Sequence, residues 1–151
     1  MRNFSIDCLV DVGRPTAEWP WHGPRPTDFL TLDDLISIAE GIVGPAGIRD
    51  VGLLEPASAR PQGTVFGERA YPTLLDQAAA LMHSIARFRP LVDGNKRLAW
   101  SSARAFLMLN GSDLHYTVDE AEEFVLAVAR GDLDVPDVAE WFAEHVQDLN
   151  Q

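Results

Sequence analysis

Five consecutive residues, Asp93-Gly94-Asn95-Lys96-Arg97, bring together an acid, a glycine, an amide and two cations. Arg89-Pro90-Leu91-Val92 leads into them, and a segment of helical periodicity lies on either side. Read as a helix N-terminus, the spacing has chemical meaning. Asp93 caps, Gly94 allows a tight main-chain path, and the helix begins at Asn95. The first amides of a helix have no internal acceptor and stand at the positive end of its dipole. With Lys96 and Arg97 beside them they make an anion site suited to phosphates. An acid at the lip of such a site can hold a divalent metal against those phosphates. The same residues also spell an ordinary turn with solvated charge, as short glycine-containing motifs often do. At this level both readings stand.

The elements that must position this motif are read from periodicity and caps. Thr31, followed by Asp33 and Asp34, opens a helix with the stripe Leu32, Leu35, Ile36, Ala39 and Val43, ended by Gly44-Pro45. Residues 50–59 read as a short second helix through Val51, Leu53, Leu54 and Ala57, with Pro56 against it. Glycines flank the β-prone triplet Thr64-Val65-Phe66, which predicts a small hairpin. Thr73 with Asp76 caps the next helix, whose stripe is Leu74, Ala78, Leu81, Met82 and Ile85. Residues 95–110 are apolar on nearly every side (Leu98, Trp100, Ala103, Phe106, Leu107, Leu109), the pattern of a buried axis. Asn110-Gly111 stops it. Thr117 and Glu120 form a capping box ahead of Phe124, Val125 and Val128. Asp134 to Asp137 opens a last helix with Val138, Trp141, Phe142 and Val146 facing inward. The expectation is a mainly α domain over residues 31–151: about six helices around a buried central helix at about 95–110, with one small β-hairpin. Ahead of it, residues 1–30 form an arm in which Pro15, Pro20, Pro24 and Pro26 surround Trp19, Trp21 and His22. Four prolines forbid a helix there. The arm either packs on its own domain or holds a partner.

Composition narrows the class. The chain has 151 residues, enough for one domain with a real core, and a net charge of -11. That acidity argues against non-specific binding of nucleic acid. A single cysteine, Cys8, excludes an internal disulfide. The acids Asp7 and Asp11 break the apolar run near the N-terminus, so no leader or membrane span is visible and a cytoplasmic protein is expected. His83 lies close to an apolar stripe and reads as a core histidine with one hydrogen bond. His22, His115 and His145 have no cysteine or carboxylate cluster around them that suggests a metal site.

Between Ile48 and Gly111 the sequence runs through ordered blocks. They are Ile48-Arg49-Asp50-Val51-Gly52-Leu53-Leu54-Glu55, Ala59-Arg60-Pro61-Gln62, Tyr71-Pro72-Thr73-Leu74 and Ala79-Ala80-Leu81-Met82-His83-Ser84-Ile85-Ala86-Arg87. Asp93 to Arg97 and Phe106-Leu107-Met108-Leu109-Asn110-Gly111 follow. In these blocks the chain resembles the Doc branch of the Fic/Doc superfamily, whose central motif reads H-x-F-x-[DN]-[GA]-N-K-R. Asn95-Lys96-Arg97, with Ser101 where the Fic pattern has a later arginine, points to Doc rather than to the AMP-transferring Fic enzymes. The resemblance implies a mostly helical Fic fold with a β-hairpin flap at Gly63, Thr64, Val65, Phe66 and Gly67. It implies a toxin, held in check by a small antitoxin, that moves the γ-phosphate of ATP onto a threonine of elongation factor Tu. ATP and Mg2+ are then the expected cofactors, and no membrane or direct nucleic-acid partner is expected. The catalytic positions fall on Arg89, Asp93 and Lys96, with Asp93 holding the metal. Gly94, Asn95, Lys96 and Arg97 cradle the phosphates, and the flap aligns the target by β-pairing.

One departure bears on activity. The family motif opens with histidine four residues before the acid, and that position is Arg89. In the family the histidine takes a proton from the attacking hydroxyl. Arginine, with a pKa above roughly 12, cannot. Leu91 in place of the motif's phenylalanine is a mild apolar change. Three readings of Arg89 remain: a natural feature of a weakened or non-catalytic relative that binds nucleotide, peptide or antitoxin; a substitution that allowed a toxic protein to be produced; or an added phosphate contact while another group takes the proton. His83, six residues ahead of Arg89, is the nearest substitute base and is poorly placed.

Overall fold

The computed structural model describes residues 26–149, so Pro15, Trp19, Pro20, Trp21, His22 and Pro24 fall outside the described residues. Within them the order is α1 (Leu32–Val43), α2 (Leu54–Ala59), β1 (Thr64–Val65), β2 (Glu68–Arg69), α3 (Leu74–Phe88), α4 (Asn95–Leu109), β3 (Ser112–Leu114), α5 (Val118–Arg130), α6 (Val135–His145) and β4 (Val146–Asp148). The fold is mainly helical, with six helices among the described residues.

The caps act where the sequence placed them. Thr31, Thr73 and Thr117 each accept from the amide of an acid three residues on, and that acid answers the cap's own amide. Each box satisfies two amides that would otherwise be orphaned at a helix start. Residues 51–53 wind as a 3-10 turn, because Asp50 accepts from Gly52, before α2 proper begins at Leu54.

α4 is the axis. Leu98, Ala99, Trp100, Ala103, Phe106 and Leu107 are all buried, and α1, α3 and α5 pack around it. Its charged exception is Arg104, which is also buried. That guanidinium makes a fork to Asp113 in the middle of β3, Nη2 to Oδ2 at 2.7 Å and Nε to Oδ1 at 3.0 Å, and donates to the Tyr116 hydroxyl at 2.9 Å. A charge inside a core is tolerated only when paired and hydrogen-bonded in this way. Trp141 stacks on Phe124 with centroids 4.0 Å apart and 8° between the planes, so aromatic rings close the α5–α6 side.

Asp28 to Leu30 belong to this core. The Asn110 amide exchanges hydrogen bonds with the Asp28 main chain, both at 2.8 Å, Phe29 stacks on Phe106, and Leu30 is buried.

The structure departs from the sequence reading at the C-terminus. Val146 was expected on the inward face of the last helix, but α6 stops at His145 and Val146 enters β4 on the surface. β4 pairs antiparallel with β3, Ser112 opposite Asp148 and Leu114 opposite Val146, making a second small sheet. These are three-residue strands far apart in the chain, and neither has the alternation that identifies a strand locally.

Candidate functional site

α3 ends at Phe88, and the chain turns there through Arg89, whose backbone is left-handed at φ 55°. The loop to α4 is held from below by the segment after α1. The amides of Arg49 and Asp50 both donate to the Pro90 carbonyl, at 2.8 and 3.0 Å, and Val92 donates to Gly47 at 3.0 Å. Ile48 forms a bridge with Leu91, and Leu91 is buried. This explains why an apolar residue stands at position 91: it plugs the loop into the core.

The Asn95 side chain staples the loop from the other side. Its carbonyl accepts from the Leu91 amide at 2.8 Å and its amide donates to the Leu91 carbonyl at 3.0 Å. A carboxamide supplies donor and acceptor in one plane, which neither aspartate nor leucine does. Asn95 was expected only to lend its backbone to phosphate. Its side chain has a structural duty that the sequence reading missed.

The expected cap also needs correction. Asp93 does not cap α4. The N-cap is Gly94, at φ 88°, with no side-chain cap. Asp93 Oδ1 instead accepts from the amide of Gly94, its immediate neighbour, at 2.8 Å. The left-handed turn at Gly94 places the acid one residue too early to reach the second or third helical amide. Leu98 is the first residue of α4 whose amide reaches a carbonyl, that of Gly94 at 2.9 Å. Among the described residues nothing accepts from the amides of Asn95, Lys96 or Arg97, and the positive end of the helix dipole stays uncapped.

The residues that carry these amides line a cavity of about 600 Å³. Arg89, Asp93, Gly94, Asn95, Lys96 and Arg97 all line it, so every phosphate-site residue proposed from sequence converges on one place. α5 supplies a further wall through Leu126, Ala129 and Arg130, which sequence reasoning did not single out. Among the described residues no carboxylate pairs with Arg89, Lys96 or Arg97. The cavity therefore carries net positive charge in an otherwise acidic chain.

The flap is β1 and β2, with Thr64 opposite Arg69 and Val65 opposite Glu68. Phe66 and Gly67 make the turn, both with positive φ, and the Phe66 ring is fully exposed. The flap's base is tied to α3 through Arg60, which donates to the Tyr71 hydroxyl at 2.8 Å and to Ser84 Oγ at 3.0 Å. Arg60 Nη1 also lies 3.0 Å from His83 Nδ1. Arginine only donates, so Nδ1 is bare and the ring proton sits on Nε2. Burial lowers the His83 pKa, the Arg60 and Arg87 guanidiniums add to this, and Asp134 opposes it. His83 lines a separate cavity with Arg60 and Tyr71, away from Arg89.

A profile described as the Fic/DOC family matches residues 29–107, which span the loop, the flap and nearly all of the central helix. The chain belongs to the Fic/DOC family. Toxin Doc of Mycolicibacterium smegmatis (strain ATCC 700084 / mc(2)155) is 48% identical over 118 residues, covering 75% of this chain and 89% of that protein. The Fic/DOC region thus takes in the α3–α4 side of the cavity, with Arg89 after α3 and Lys96 and Arg97 at the start of α4, while the α5 wall lies beyond it.

The donor set suits the expected cofactors. Three free amides with flanking cations match a phosphate tail. One carboxylate at the lip, with phosphate oxygens completing the shell, is how proteins commonly hold Mg2+. Asp93 would be that ligand, and the ion would shield the phosphate charge. No helix among the described residues is long and apolar enough to cross a membrane.

Proposed function

We propose that this chain is a Doc-type toxin of a toxin–antitoxin pair, built to bind ATP with Mg2+ and to pass the terminal phosphate to a threonine hydroxyl of elongation factor Tu. The observation that carries the reading is the uncapped start of α4, with three free amides beside Lys96 and Arg97, in a chain 48% identical over 118 residues to Toxin Doc. In this scheme Asp93 holds the metal, Lys96, Arg97 and the amides orient the phosphates, and a target segment pairs with an open edge of the flap. A cognate antitoxin covers the cavity or the space beneath the flap. The cell compartment that fits this target is the cytoplasm.

Turnover in this form is suppressed by Arg89. The target hydroxyl must lose its proton as its oxygen attacks the phosphorus, and a guanidinium has no free lone pair to take it. A positioned base contributes about 10²- to 10⁴-fold, or roughly 3–5 kcal/mol of barrier. Nucleotide binding survives this loss, because it rests on amides and cations.

The test is inducible expression of the chain beside Arg89→His. Growth arrest with histidine alone supports the reading. Arg89 itself favours a second reading, a non-catalytic Fic-fold protein that binds nucleotide, peptide or antitoxin, and arrest with neither form supports that. Arrest with both forms defeats the role given to position 89. Co-purification with the product of the neighbouring reading frame tests the antitoxin; protection confined to residues 120–151 would count against its covering the cavity.

A further inference from the structure

The α5 wall of the cavity ends in Arg130, in the last turn of that helix. A basic residue there already suits the negative end of that helix, so its presence alone means little. Its surroundings say more. Arg130 lines the same cavity as the α4 amides, and Arg89, Lys96, Arg97 and Arg130 together account for four of the chain's 12 lysines and arginines. Asp93 is the cavity's one acid. The partner of Arg130 is Asp132, Nε to Oδ2 at 3.3 Å, and the two side chains are 64% and 60% exposed. An exposed pair of this kind is worth little and exchanges easily. The guanidinium is therefore held close to the cavity by a bond that a stronger anion can replace.

Resting on the nucleotide-binding reading above, we infer that Arg130 is a further phosphate-binding residue, released from Asp132 to take the part of a polyphosphate tail that the α4 amides do not reach. A single phosphate is satisfied at the mouth of α4. A cavity of about 600 Å³ leaves room beyond it, and its α5 wall offers one cation, Arg130. A guanidinium there meets phosphate oxygens through two parallel hydrogen bonds. The device selects for tail length, favouring di- and triphosphates over inorganic phosphate, and no step of the transfer passes through Arg130.

Calorimetry on the whole chain tests this, with Mg-ATP, tripolyphosphate and inorganic phosphate as probes and the variants Arg130→Gln, Arg130→Lys and Asp132→Asn. Arg130→Gln is expected to weaken ATP and tripolyphosphate roughly tenfold to a hundredfold and to leave inorganic phosphate nearly unchanged. Arg130→Lys should restore part of the loss, since it keeps the charge without the fork. Asp132→Asn should tighten ATP about two- to fivefold, the worth of an exposed pair. An unchanged melting temperature for Arg130→Gln, which sits on an exposed turn, assigns the loss to the site. ATP binding unaltered in Arg130→Gln, or an equal loss for inorganic phosphate, overturns the inference while leaving the nucleotide reading intact. No ATP binding by the unaltered chain defeats both.

Discussion

The guanidinium of Arg49 grips the main-chain carbonyl of Arg89, with Nε at 3.2 Å and Nη2 at 2.5 Å, and also reaches the Phe88 carbonyl at 3.4 Å. The last carbonyls of α3 are the negative end of a helix dipole at the edge of the cavity, and Arg49 offsets that charge. Replacing Arg49 with alanine should lower stability by about 1–2 kcal/mol and weaken Mg-ATP binding. Arg49→Lys should recover the stability only partly, because the fork is lost. Urea unfolding and calorimetry on the three forms check this; equal affinity in all three would show that the clamp does not bear on the site.

Gly94 sets the mouth of α4 from its left-handed backbone. A Cβ at this position would stand 3.0 Å from Val43 Cγ1 and 3.4 Å from Ile42 Cγ2, at the end of α1. Gly94→Ala should therefore cost about 1–2 kcal/mol, a fall of about 2–8 °C in Tm for a chain of this size. It should also reduce ATP affinity, since relief of the clash tilts the free amides. A thermal melt beside a binding isotherm separates the two effects.

Asp113 is the counter-charge of a buried cation. Asp113→Asn should destabilise by about 3–5 kcal/mol, far more than an exposed pair would, because Arg104 keeps its charge with nothing to balance it. The double change Arg104→Met with Asp113→Leu should recover most of that loss. If Asp113→Asn proves mild in urea unfolding, the pair is better hydrated than its burial indicates.

His83 sets part of the acid limit. Its folded pKa is lowered from the ordinary value near 6.5 by burial and by Arg60, with Arg87 adding and Asp134 opposing. The unfolded chain then binds the proton more readily, so the contribution of neutral His83 is present above the unfolded pKa. It is lost as pH falls from about 6.5 toward the folded value. His83→Gln, which still offers Arg60 an acceptor, should flatten the change in urea midpoint between pH 7.5 and 5.5. An identical pH profile in both forms would place the acid sensitivity elsewhere.

Local chemistry made much of this protein legible. Threonine with an acid three residues on marked the starts of α1, α3 and α5, and each box is formed. The all-round apolar pattern of residues 95–110 marked the axis. Asp93 to Arg97 marked part of the cavity lining, because the residues at a helix start are contiguous in the chain. What sequence hid depends on contacts between distant segments. Nothing around Arg49 signals that it holds a carbonyl 40 residues away. Arg130 reads as a helix-end charge until α5 is laid across α4. Arg104 is one arginine among many until Asp113 folds onto it. Asn95 was noticed for its backbone, while its side-chain duty depends on Leu91, four residues back, at a distance only the turn at Gly94 creates.

Position 89 has one further consequence. Its main chain is fixed by its own amide bonded to Ile85, by Arg49 on its carbonyl and by the proline that follows it, so the emergence of a side chain there owes nothing to the side chain itself. Reagent and framework are inherited separately. Arginine and histidine codons can differ by one base, so a single mutational step can exchange the group presented at this position while the main-chain shape around it stays the same.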